Sequence, residues 1–144
     1  MKRILAAVVV LAFCMSGLTA QAGDRPREDE RLYVSGVFCN KLWQTQADLR
    51  QTKKGVPTEV ILAALNKEGV ECTNASTIEY VFSEVTLLVD TDEELEGKSV
   101  YFYEGLQIGI RTSDGKIHLY KGGPAIVYFV RLEPFNSQNV SVQM

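Results

Sequence analysis

The sequence predicts an α+β domain: two short N-terminal helices tied by a disulfide to a twisted antiparallel sheet or small SH3-like barrel. Three observations predict it. Apolar residues recur at helical spacing between about residues 40 and 69. From Ile78 onward the apolar period falls to two, the spacing of a strand with one buried face. Two cysteines, Cys39 and Cys72, bracket the helical stretch.

Leu32 to Phe38 is apolar and rich in β-formers, and makes a first strand ending at Cys39. Asn40 is placed to cap the next helix, because its side chain can accept from an orphan amide of the first turn. That helix runs to about Thr52, with Leu42, Trp43, Gln46 and Leu49 on one stripe. Lys53, Lys54 and Gly55 end it, cations at the negative dipole end followed by a C-terminal glycine. Pro57 opens a second helix as its first residue, Glu59 suits the first turn, and Val60, Ile61, Ala64 and Leu65 give the apolar face up to Gly69. Packed as a pair, the helices bring Cys39 and Cys72 together at their base.

In the β-rich half, Val81, Val85, Leu87 and Val89 share parity over a strand from Thr77 to Val89. Asp90 to Gly97 is an acidic turn, and Val100 and Phe102 alternate with Tyr101 and Tyr103 in the next strand. Leu106–Thr112 and Lys116–Lys121 flank Asp114-Gly115, which signals a two-residue hairpin turn and sets Ile110 opposite Leu119 and His118 opposite Arg111. Gly122-Gly123-Pro124 breaks the chain. Ala125 to Val130 is continuously apolar and reads as a central strand buried on both faces, ended by Pro134. One domain over 32–134 follows, with a flexible lead-in at 23–31 and a loose tail at 135–144.

Residues 1–22 read as a signal peptide. Lys2 and Arg3 precede the apolar run Ile4 to Phe13, and Ala20-Gln21-Ala22 offers the small-x-small cleavage pattern. Ten apolar residues are too few to cross about 30 Å of hydrocarbon, so no transmembrane segment is expected after cleavage. Cys14 lies in the leader behind Phe13, where acylation would require a small residue. Cys39 and Cys72 are then an even pair in an oxidising compartment, periplasmic or secreted. Closing their loop of about 34 residues stabilises the fold by about 4 kcal/mol in the chain-entropy picture. Of 15 basic residues two fall in the leader, while all 18 acidic ones lie beyond it; thirteen against eighteen leaves −5 on the mature chain. That charge, with no basic block, argues against nucleic acid as a partner.

The run Gly36-Val37-Phe38-Cys39, the Gln-rich helix, the Pro57-led helix with Ala64-Leu65-Asn66, and Cys72 together resemble a group of small exported bacterial proteins of unknown function. In these a Gly-x-x-Cys strand leads into two helices, a second Cys and a β-rich C-terminal half. Ile78-Glu79-Tyr80-Val81 and the aromatic strand Val127 to Leu132 fit the same pattern. The group usually carries Asp after its first Cys, where this chain has Asn40, an equivalent helix cap. The resemblance implies export and a disulfide, and no activity.

Groups able to do chemistry are few. His118 is the single histidine, and no serine sits in a G-x-S-x-G elbow, so no nucleophile–base pair is expected. Asp90, Asp92 and Glu94 begin like a calcium loop, but Leu95 replaces the required glycine and Tyr101 the bidentate Glu. Zinc would need more His or Cys. Glu84 is the one carboxylate within an apolar strand; paired with Glu104 it could be a general acid, and otherwise it faces solvent. Neither catalysis, metal nor cofactor is therefore expected. Tyr101, Tyr103 and Tyr120 fall in strands, and on a shared outward face they would form a rigid amphipathic platform for a partner. The leading expectation is a small exported accessory protein that binds another protein or an envelope component. The alternative is a cell-envelope hydrolase inhibitor, presenting Gly122-Gly123-Pro124 or the acidic turn, or a small hydrolase. A third is a structural subunit whose last apolar strand pairs with another chain.

Overall fold

The computed structural model describes residues 30–88, 92–136 and 140–143. The expected leader with Cys14, all but the end of the expected lead-in, and Val89 and Asp90 lie outside them. The chain is a mixed helix-and-sheet fold. In order it forms β1 (Leu32–Cys39), α1 (Leu42–Lys53), α2 (Thr58–Leu65), β2 (Cys72–Leu88), β3 (Glu94–Leu95), β4 (Lys98–Ser99), β5 (Tyr101–Arg111), β6 (Ile117–Leu119), β7 (Ala125–Arg131) and β8 (Val140–Gln143). The helices are an insertion between β1 and β2 and do not open the fold.

Four antiparallel strands close a small barrel. β1 pairs with β2, β2 with β5 and β5 with β7, and β7 returns to β1 where Tyr128 stands opposite Cys39. β2 is long enough to take three neighbours, β1 over residues 72–82, β5 over 79–88 and β8 over 85–88, and it is bent. Its register slips between Val81 and Phe82 and again between Phe82 and Glu84. Bulges of this kind kink a strand and increase its twist, which a small barrel needs. They also break alternation: Val81 and Phe82 are adjacent and both fully buried, whereas Glu84 is exposed. A further slip against β1 falls between Val34 and Gly36, whose φ of +139° suits glycine.

Two apolar clusters result from the two faces of the barrel wall. Phe38, Phe82, Tyr103, Val127 and Phe129, drawn from all four barrel strands, fill the interior. Phe82 and Tyr103 each stack on Phe129, with ring centroids 5.2 and 5.6 Å away. Gly105 is required between them, since a Cβ there would lie 2.5 Å from Phe82 Cε1. The neighbouring residue of opposite parity, Phe102, points to the other side and joins Leu49 of α1, Leu88 and Val100 beneath the helices.

The disulfide Cys39–Cys72 joins directly opposed residues of β1 and β2, 4.0 Å apart at Cα, at the base of the helical insertion. Asn66 closes the same base. Its Oδ1 accepts from the Glu71 and Cys72 amides and its Nδ2 donates to the Cys72 carbonyl. Asn40 does not cap α1. Its Nδ2 donates to Glu71 Oε2, and the cap is Lys41, whose amide donates to Gln44 Oε1. Pro57 likewise precedes α2 as its cap and is not its first residue.

Three further expectations are corrected. The β5–β6 hairpin has a three-residue loop, Ser113 to Gly115, closed by the Thr112 amide donating to the Lys116 carbonyl, with Gly115 at φ +87°. The extra residue moves the register by one, so His118 stands opposite Ile110 and Ile117 opposite Arg111. β7 is not buried on both faces: Val127 and Phe129 are buried, Tyr128 and Val130 on the other side are half-buried, and Ala125 and Ile126 are exposed. The expected loose tail supplies β8, which pairs in parallel with β2 from Val85–Val140 to Leu88–Gln143, where β1 has ended.

Candidate functional site

The expected tyrosine platform is not assembled. β5 is one continuous strand from Tyr101 to Arg111, and its parity sends Tyr103 into the barrel. Tyr103 is wholly buried, and its hydroxyl oxygen accepts from the Phe135 amide. Tyr101 is half-buried against the same core. Tyr120 is exposed at the far end of β6, its hydroxyl pushed above the usual tyrosine range by partial burial and by nearby Tyr80. The three hydroxyl-bearing rings therefore do not form one outward surface.

His118 and Glu84 are both exposed. Glu104, the carboxylate considered with Glu84, lies diagonally across the β2–β5 ladder and accepts a 2.7 Å hydrogen bond from the Tyr128 hydroxyl. That bond raises the Tyr128 pKa, with burial and the adjacent negative charge adding to it. In the acidic turn, Asp92, Glu93 and Glu94 border a depression of about 310 Å³ with Leu87, Leu88 and Tyr101. Glu93 is engaged by Lys53, and among the described residues no three metal-ligating side chains converge.

The informative surface is that of the helices. α1 is rotated relative to the expected stripe: it buries Gln44, Thr45, Asp48 and Leu49, and leaves Trp43 55% exposed. Two of the buried polar groups are satisfied. Gln44 receives the Lys41 amide, and Thr45 Oγ1 donates to the Tyr128 carbonyl on β7. Asp48 is not. Its Oδ1 is buried without a hydrogen-bond partner, and burial pushes its carboxyl above the usual carboxylate range. The sequence carries a faint signal of this rotation. Gln44 and Asp48 are four apart, so they lie on one stripe, and α1 has too few strong apolar residues to define another.

Turning Trp43 outward gives the helix pair an apolar surface. Between α1 and α2 lies an open groove of about 240 Å³, lined by Ala47, Gln51, Val56, Val60, Ile61 and Ala64 among others. Trp43 stands one turn before Ala47 on the same stripe. Val60, on the α2 side, is also 55% exposed. Chemically this is a recess for apolar side chains, framed by helices that the disulfide and the Asn66 clasp hold at their base. A comparison of the chain with family models, with curated proteins and with solved structures finds no match.

Proposed function

We propose that the protein is an exported, disulfide-clamped accessory module of the bacterial envelope that binds another protein or an envelope component and carries out no catalysis. The N-terminal charge, apolar run and Ala20-Gln21-Ala22 support export, and the Cys39–Cys72 bridge is compatible with an oxidising compartment. No helix among the described residues is long and apolar enough to cross a membrane. The observation that carries binding is Trp43. Tryptophan is a large amphipathic anchor enriched at the centres of interfaces, and here it stands in solvent beside an apolar groove. The contact surface is accordingly the helix pair, and Tyr101 and Tyr103 serve the barrel.

The test is photo-crosslinking in the native cells, with a benzophenone side chain placed at Trp43 and, as control, at exposed Glu84. Discrete adducts from position 43 and none from position 84 support the reading. Absence of adducts at both positions, or a chain found intact at its N-terminus with alkylatable thiols, overturns it.

A further inference from the structure

We propose, resting on the binding reading above, that the groove between α1 and α2 receives an amphipathic helix of a partner protein, with an acidic edge turned toward α1. The shape comes first. The recess is concave, and its lining includes Ala47 and Ala64, whose small side chains let a third helix approach closely. α1 has 12 residues, about 18 Å at the helical rise, which matches roughly three turns of a partner. Such a helix would present apolar residues at i, i+3, i+4 and i+7.

Charge supplies the acidic edge. The chain as a whole carries −3, yet the solvent side of α1 reverses that sign. Arg50 and the C-cap Lys54 follow Ala47 by three and seven positions, so they stand along the α1 rim of the groove. Both are exposed, and among the described residues neither is in an ion pair. Asp48 is the one acid of α1, and it is turned inward. On the α2 side the exposed charges are Glu59, Lys67 and Glu68, and the two acids, nine positions apart, do not share one stripe. The same face of a second copy therefore brings no acidic row to meet Arg50 and Lys54. A lipid surface is flat, so it covers Trp43 but leaves the recess empty.

The experiment uses Trp43 as its own reporter, because the chain has one tryptophan. The purified protein is titrated with two synthetic helical peptides that share a leucine stripe at i, i+3, i+4 and i+7. One carries Glu along an edge, and the other carries Lys at those positions. The Glu peptide is expected to blue-shift Trp43 emission saturably, with the Lys peptide at least tenfold weaker. Arg50→Glu with Lys54→Glu should invert that preference in a chain that still unfolds cooperatively, its melting temperature lowered slightly by two anions at the negative end of α1, and Ala64→Arg should remove both responses. An equal response to the two peptides, silence toward the Glu peptide, or an unchanged preference in the charge-reversed variant overturns the inference. So does a blue shift with phosphatidylglycerol vesicles alone, which assigns the face to a membrane. Dimerisation abolished by Ala64→Arg, seen by sedimentation, assigns it to a second copy. Crosslinks from position 43 in cells, alongside a failed peptide preference, keep the binding reading and discard the acidic helix.

Discussion

Asp48→Asn isolates the energetic anomaly of the helix–barrel contact. In the native protein Asp48 is 9% exposed, and its Oδ1 has no hydrogen-bond partner. Burial therefore raises its pKa in the folded state above the ordinary 3.8, whereas the unfolded chain keeps the ordinary value. The folded state binds its proton more tightly, so stability falls as pH rises. The loss begins near the ordinary carboxylate value and is complete above the raised folded-state one. Asparagine has nearly the same shape and no charge. Whatever constant cost its amide brings cancels when the difference between variant and wild type is followed against pH. Asparagine has no charge to desolvate, so the variant should gain on wild type between pH 3 and 7, by about 1.4 kcal/mol for each unit by which burial raises the folded-state value. The assay is urea unfolding at half-unit pH steps, monitored by far-ultraviolet circular dichroism. Parallel stability curves, or a wild type that gains on the variant as pH rises, would refute the burial argument. The first outcome would mean that water or a partner reaches Oδ1.

Tyr103→Ala should cost about 3–5 kcal/mol by opening a cavity in the barrel, and Tyr103→Phe about 1 kcal/mol by stranding the Phe135 amide. Tyr120→Ala should shift the thermal melt little, and equal losses at both tyrosines would contradict their separation. Gly105→Ala drives a methyl against Phe82, which is walled in by Phe129, and should destabilise by about 1–3 kcal/mol in chemical denaturation. A neutral outcome would show that the Phe82 ring can move. Replacing both Cys39 and Cys72 by alanine removes a crosslink spanning 33 positions and should lower stability by about 4 kcal/mol. A loss under 1 kcal/mol would mean that the β1–β2 pairing and the Asn66 clasp already restrain that loop.

Particular residues show how far local pattern reaches. Gly55 ends α1 at φ +85° where the sequence placed a C-terminal glycine, because the left-handed turn is a property of a few adjacent residues. The two helices and the Cys39–Cys72 bridge were legible for the same kind of reason, through spacing and count. Asp114-Gly115 marked the hairpin but not its loop length. Asp114 engages Thr112 and Lys116, and its carboxyl is held below the usual range by those hydrogen bonds, so the turn closes one residue wider than a two-residue loop. The groove was not legible. The expected stripe put Trp43 on the packed side of α1, and a 12-residue helix with Leu42 and Leu49 as its strong apolar residues leaves its rotation undetermined until the barrel beneath it exists.

Alone, the order of residues settled where the helices lie, where most of the strands lie and which sulfurs join, since each depends on neighbours in the chain or on two cysteines bracketing the helical stretch. The barrel decided what points where. Each bulge in β2 and each added loop residue shifts a strand by one position, and one position exchanges inside for outside. Tyr103 went to the core, Glu84 to solvent, Asp48 inward and Trp43 outward through contacts between strands and helices far apart in the chain. The surface offered to a partner is what that distant packing left uncovered.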